Sequence, residues 1–396
     1  MGDERLPLML TPARGGDMTH RVEYDIAIDR VPANGSSFAR QRQAASKSWG
    51  QVTLANDHGT SHAVSSRCDH ETVRTTQLSL LIGILSAPAN RERRASIRAS
   101  WLEAASGRDG GGALGCFVIG VGEGEPTQQA LRSDVQREAA VTGDVWRLAS
   151  FAETGQIRKI KTFLWWTAVA KLLEAGATFE HAVKTDDDAL VYVPNLMGAL
   201  SRYTDTQYLC LGKLAFTSYG PSFRRCGWTW GPLKSAWGLY KDRKCASKGN
   251  PPPFPFAVGM LQLVSSPLVR ELAATQGAAE FYRRADARVP RNSTHYYDDA
   301  QEDITFGYWL SVAQRERRFS VRYVHLPEEE SHNIGCTMAP NDKQSDMYRR
   351  ISDARTELVL HGLKRPAGMG YAWDVLSGRI PPNTSTCKCK VWGVLC

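Results

Sequence analysis

The sequence has no stretch approaching the ~20 consecutive apolar residues that a bilayer-spanning helix needs. Its longest early apolar run, Leu6 to Leu10, is broken by Pro7 and is too short for a secretory h-region. No signal or anchor is therefore readable. Paired C-x-x-C spacing is absent, which argues against a structural zinc site. There is no G-x-x-x-x-G-K-(S/T) loop and no internal repeat. A basic stripe with interleaved aromatics is also missing, as are helix-turn-helix and RNA-binding signatures, so no nucleic-acid partner is expected.

What is present is a chain of 396 residues, 42% hydrophobic and 23% charged. These values suit a globular protein and exclude a wholly disordered, collagenous or membrane-embedded one. The net charge of +8 is unevenly spread. Residues 1–75 hold nine basic and nine acidic residues, so the remainder carries the whole excess. A basic body suits an anionic ligand such as a nucleotide diphosphate or polyanionic glycan, or is simply a solvated surface. Nine cysteines are compatible with several disulfides plus a free thiol. Sequons at Asn34, Asn292 and Asn383 lean toward the secretory pathway.

Residues 1–75 read as a polar N-terminal arm without fixed structure. His58, His62, Cys68 and His70 within it form only a weak metal-cluster pattern. The body starts at Gln77. Leu78–Leu85 and Leu114–Val121 are short continuous apolar runs, as in strands buried on both faces. Helical segments are expected over 90–103, 125–140 and 157–175, with strands at 144–148 and 181–185. This alternation predicts a doubly wound α/β sheet. Further strands are expected at 208–213, 257–264 and 321–325, and helices at 267–278 and 302–315. Residues 216–255, rich in Gly, Pro, Trp and Lys, read as a long irregular loop region. The domain is placed at 76–376 and a cysteine-containing tail at 377–396.

Three segments hold candidate chemistry. In Lys184-Thr-Asp-Asp-Asp-Ala-Leu-Val191, three adjacent carboxylates follow an apolar strand. Their repulsion is costly unless a cation offsets it, and strand carboxyl ends are where open α/β sheets place ligands. The segment reads as a metal–diphosphate site or as a solvated acidic turn before the helix at Pro194. In Glu302-Asp-Ile-Thr-Phe-Gly307, two carboxylates precede an apolar helix, either as a plain acidic cap or as a source of a general base. In Arg91 to Trp101, four arginines fall within eight residues, suited to phosphate recognition or to an exposed helix face.

Together these segments resemble glycosyltransferase family 31, the β-1,3-galactosyltransferase and β-1,3-N-acetylglucosaminyltransferase relatives. Arg94-Ala-Ser-Ile97-Arg98-Ala-Ser-Trp101 is similar to the family's R-x-x-I-R-x-(S/T)-W, and Lys184–Val191 to its K-x-D-D-D-x-(F/L)-V. Glu302–Gly307 is similar to E-D-(V/I)-x-x-G, and Phe254-Pro-Phe-Ala-Val-Gly259 occupies the place of a Pro/aromatic–Gly segment. Of the family's Y-x-N-L-T-x-K-T segment only Lys161-Thr162 remains, followed by Trp165-Trp166.

The resemblance implies a GT-A-type, Rossmann-like mixed sheet in a single catalytic domain with a long acceptor-side loop region. It implies inverting, metal-dependent transfer of galactose from UDP-galactose, in β-1,3 linkage, to a glycan, glycoprotein or glycolipid. UDP-N-acetylglucosamine is the alternative donor, and a catalytically inactive glycan-binding relative is the alternative of another class. By the resemblance, Mn2+ or another divalent cation such as Mg2+ is expected on Asp186 and Asp188, with His361 of a late H-x-x-(K/R)-P-like segment completing the shell. Asp303 is the expected catalytic base. Arg94, Arg98, Asp186 and Asp187 are expected at the UDP-sugar. Cys226 and Cys245 are expected to staple an acceptor-facing loop whose Trp228, Trp230 and Trp237 stack on sugars. The resemblance also points to the Golgi lumen or membrane, with membrane association only if an anchor precedes this sequence.

Overall fold

A computed structural model describes residues 22–26, 68–106, 112–120, 126–148, 158–219, 225–229, 233–275, 302–327, 330–333, 356–379, 388–390 and 393–395. Two strands at the centre set the plan: β2 (Leu78–Leu85) and β5 (Phe179–Asp186) run parallel, with Leu85 opposite Asp186. Outward from β2 lie β3 (Ala113–Gly120) and β4 (Val145–Leu148), both parallel. β2 is buried almost along its length, as the unbroken apolar run predicts for a strand covered on both faces. The helix Arg158–Glu174 covers one face, and its Trp165 and Trp166 are fully buried. Trp166 stacks on Phe306 at 5.0 Å between ring centroids, which joins this helix to the helix Glu302–Arg317.

On the other side of β5 the sheet changes direction. β11 (Gln262–Ser265) is antiparallel to both β5 and β7 (Leu209–Gly212). β12 (Val321–His325) lies parallel to β7, and β1 (Val22–Ile26) closes the edge antiparallel to it. The complete order is β1-β12-β7-β11-β5-β2-β3-β4. After β4 the chain returns to the opposite flank of β2, so the order reverses between β2 and β5. Ligand crevices in open α/β sheets form at such a switch point, past the strand carboxyl ends. Ser86 follows β2 there, and Asp186 ends β5.

The structure corrects several expected boundaries. Residues 216–255 hold regular structure. β8 (Leu214–Tyr219), β9 (Arg225–Thr229) and β10 (Phe254–Ala257) form a second antiparallel sheet, and Leu233–Asp242 is a helix. The expected strand 257–264 is two, because a turn at 258–261 separates β10 from β11. The first arginine-rich helix ends at Ile97. The Ser100 hydroxyl then donates back to the Ser96 and Ile97 carbonyls, and the backbone leaves helical geometry at that residue. Within residues 1–75, Val22–Ile26 forms the edge strand and His70–Thr75 a helix capped by Asp69.

Two disulfides are present among the described residues. Cys226–Cys245 joins β9 to the end of the Leu233–Asp242 helix, the expected staple. Trp237 packs on this small core, so its ring supports the fold. Cys68–Cys116 ties the approach to the first helix onto β3, which removes Cys68 from any metal cluster. Cys210 is a buried free thiol. His58, His62, Trp230, the side chain of Trp228 and all three sequons lie outside the described residues.

Candidate functional site

The third sheet assembles the cation-ready cluster. β6 (Ala189–Val191) follows the aspartates directly and pairs antiparallel with β14 (Val359–His361), so that His361 stands opposite Ala189. β13 (Ser331–Asn333) runs parallel on the outer side of β14. The Asp188 carbonyl accepts from the N–H groups of Gly362 and Leu363, which continues the pairing past the strand end. This register brings His361 Nε2 to 3.1 Å from Asp188 Oδ1 and 3.8 Å from Asp186 Oδ2. The three ligand atoms of Asp186, Asp188 and His361 lie within 4.8 Å of one another. Two carboxylate oxygens and one imidazole could hold a divalent cation, and three protein ligands would leave coordination positions open.

Burial pushes Asp188 up, but the His361 hydrogen bond and charge outweigh it and hold the carboxyl below its ordinary value. Burial lowers His361, and the Asp188 bond more than restores it, leaving the imidazole above its usual value.

Lys184 joins the acidic turn to the Glu302 helix. It is fully buried on β5. Its ammonium donates to Asp186 Oδ1 at 2.8 Å, to Glu302 Oε1 at 2.7 Å and to the Gly259 carbonyl at 3.3 Å. Asp303, next along the helix, accepts from the Gly259 N–H at 2.9 Å and from Gln262 Nε2 at 3.1 Å. Gly259 lies between them. A Cβ placed there would stand 2.9 Å from Asp186 Oδ2, 3.0 Å from Lys184 Nζ and 3.1 Å from Asp303 Oδ1. The triple-aspartate turn and the Glu302–Asp303 helix start therefore face one small volume. Gly307 makes this approach possible, because a Cβ at that position would lie 2.4 Å from Phe256 Cβ on β10.

Burial is the largest influence on Asp303 and pushes it up. The Lys184 ammonium pulls it down, the Glu302 and Asp186 charges raise it again, and the Gly259 N–H lowers it, leaving about 7. An unfolded aspartate titrates near ~3.9. The folded value is thus raised, so this group's contribution to stability is full below the unfolded value and is lost as pH rises through about 7. Metal-free Asp303→Asn is accordingly expected to be more stable than the parent at pH 8, with the difference shrinking as pH falls toward the unfolded value. Urea denaturation at several pH values measures this, and a difference that grows on acidification contradicts the assignment.

The arginines and Asp187 sit elsewhere than their motif implied. Arg94 is fully buried, and its five N–H donors are all engaged, by Glu138, Ser86 Oγ and the Ala87 and Pro88 carbonyls. Arg98 pairs with Asp144 through two bonds, at 2.7 and 2.9 Å, and with Glu138 at 2.7 Å. Burial pushes Glu138 up, and the two arginines outweigh it to hold the carboxyl below its ordinary range. These arginines clamp the helix Arg91–Ile97 to the helix Pro126–Thr142 and the following turn, leaving no free Arg94 donor for a nucleotide. Arg94→Ala is expected to cost about 3 kcal/mol in urea unfolding, the low end for breaking a buried pair, because Arg98 still neutralises Glu138. The Asp187 carboxylate turns back from the pocket, where Ser86, Asn90 and Arg93 donate to it.

Lys184 and Gly259 stand in the sequence motifs without a role of their own, and the structure gives them one. A lysine following Ala182 and Val183 in a segment read as a strand was the available signal for Lys184, since such a charge, once buried, needs a partner. Lys161 belongs to the same neighbourhood, donating to the Ser86 carbonyl at 2.8 Å.

The sequence matches the family profile described as galactosyltransferase over residues 92–301. It is 32% identical over 126 residues to β-1,3-galactosyltransferase 4 of the dog, Canis lupus familiaris, a match spanning 31% of this chain and 31% of that relative. Among solved structures, an active-site mutant of LgtC aligns over 71% of this chain and 86% of its own at 13% identity, with a TM-score of 0.33. Core-mannan synthase A (CmsA) from Aspergillus fumigatus, in a Mn/GDP form, aligns over 77% and 83% at 8% identity, with a TM-score of 0.31. The profile match takes in more than half of the sequence, including both the triple-aspartate turn and the arginine-rich helix, and on that ground the chain belongs to the galactosyltransferase family.

Proposed function

We propose that the protein is an inverting hexosyltransferase of GT-A type that moves galactose from UDP-galactose to a hydroxyl of a glycan, glycoprotein or glycolipid, in β-1,3 linkage. The observation that carries this reading is that Asp186 belongs both to the Asp186–Asp188–His361 group and to the volume beside Gly259 that Asp303 faces. A divalent cation held by Asp186, Asp188 and His361 supplies Lewis-acid neutralisation of a diphosphate when bound. Asp303 takes the proton of the acceptor hydroxyl as that oxygen attacks the anomeric carbon, and one base on the face opposite the leaving group suffices for inversion. A carboxyl poised near neutral pH suits that role. Similarity to the dog β-1,3-galactosyltransferase 4 supports galactose and the β-1,3 linkage. Two disulfides support an oxidising compartment, in keeping with the Golgi lumen. No helix among the described residues is long and apolar enough to cross a membrane.

The test is a donor panel with Mn2+, read as UDP release with and without acceptor glycans. UDP-galactose is expected to give acceptor-dependent release. Preference for UDP-N-acetylglucosamine would replace the sugar but keep the reaction class. Release without any glycosylated product would indicate hydrolysis, and glycan binding without turnover would mark an inactive relative.

A further inference from the structure

Asp187 is the middle carboxylate of the triple-aspartate turn, yet it faces inward. It is buried, and three donors from the region after β2 saturate it: Ser86 Oγ at 2.7 Å, Asn90 Nδ2 at 2.8 Å and Arg93 Nη1 at 3.1 Å. Asn90 occupies the N-cap of the first arginine-rich helix but makes no capping bond with its side chain. That amide goes to Asp187 instead of the helix, forgoing the usual role of asparagine at this position. Anchoring the middle residue inward leaves its neighbours Asp186 and Asp188 to project toward His361.

Arg93 reaches further. Its Nε donates to the Lys364 carbonyl at 3.1 Å, three residues past His361. One side chain thus holds both chain segments that bear the cation-ready groups, the turn of Asp186 to Asp188 and the turn after His361. The Asp188 carbonyl accepts from the Gly362 and Leu363 N–H groups, and the His361 ring approaches the Asp186 and Asp188 carboxylates, so Arg93 adds a side-chain tie to a backbone one. We propose that Arg93, anchored on Asp187, is a positioning residue that sets the spacing of Asp188 and His361 and so tunes divalent-metal affinity. The inference rests on the metal reading of the site given above. It assigns Asp187 to this clamp and not to the sugar nucleotide. Residues that orient metal ligands typically change affinity by ~10–100-fold when removed.

The experiment is calorimetric titration of the full chain with Mn2+ alone, without donor or acceptor. Wild type is expected to bind. Arg93→Ala and Asp187→Asn are each expected to weaken binding by about 10-fold or more. Because they break one network, the double variant should be little worse than the weaker single. Arg93→Lys should recover part of the affinity, since a lysine reaches one acceptor but not both in the fork geometry of arginine. At saturating Mn2+, kcat should return to within a few-fold of wild type. If Arg93→Ala does not fold, Arg93→Lys and Asp187→Asn decide the matter by the same titration. Unchanged Mn2+ affinity in the folded variants, with a raised KM for UDP-sugar, would make Arg93 a direct diphosphate contact and overturn the clamp alone. Absence of Mn2+ binding by wild type would overturn the metal reading and the clamp together.

Discussion

Asp303→Asn should lower kcat by about 10²–10⁴-fold, the usual contribution of a positioned general base, while leaving UDP-sugar binding near its wild-type value. The substitution preserves size and keeps an oxygen able to accept the Gly259 N–H, while its amide nitrogen replaces the oxygen that accepts from Gln262 Nε2. What it removes is the ionisable carboxylate that the proposed proton transfer needs. Single-turnover kinetics and donor titration together check this, because a structural defect would weaken donor binding as well. Neighbouring Glu302 cannot substitute easily: its carboxylate is committed to the buried Lys184 ammonium at 2.7 Å. Near-normal turnover in the variant would mean that another residue takes the proton.

Asp188→Ala should abolish Mn2+-dependent donor binding and reduce kcat/KM by on the order of 10³-fold, corresponding to the several kcal/mol that a bound cation contributes. The backbone argues that this loss would be local. The segment after His361 is held by the Asp188 carbonyl, which the substitution retains. The β6–β14 pairing, with Val359 opposite Val191 and Leu360 opposite Leu190, is likewise buried backbone and apolar packing. Unfolding behaviour should therefore stay close to wild type while metal and donor titrations collapse. Donor binding that persists with its wild-type dependence on metal would take the triple-aspartate turn out of the site.

Several features were legible in the sequence because they depend on local chemistry. The apolar runs at 78–85 and 114–121 become β2 and β3, since a strand covered on both faces cannot alternate. The acidic residues at 302–303 do open a helix, and the cysteines at 226 and 245 do pair. Residues 216–255 were opaque for an opposite reason. Their strands β8, β9 and β10 are held by pairing with each other and by the disulfide, so no short window shows a period. The pairing of Cys68 with Cys116 was equally hidden, because it depends on how the approach to the first helix crosses β3.

The identity of the charged residues was written in the chain, but their division of labour was not. Motif order and the family resemblance pointed to aspartates, arginines and a late histidine. Tertiary structure decided which of them share a volume. Arg94 and Arg98 belong to a motif that suggests phosphate, yet carboxylates at positions 138 and 144, distant in sequence, claim them first. Three consecutive aspartates look alike in a string. Only the Ser86–Asn90–Arg93 side of β2 turns the middle one inward, and only the register of β14 on β6 gives the last one its histidine. The physical reason is that charge is a property of a residue, while the partner that makes its burial tolerable is supplied by the fold.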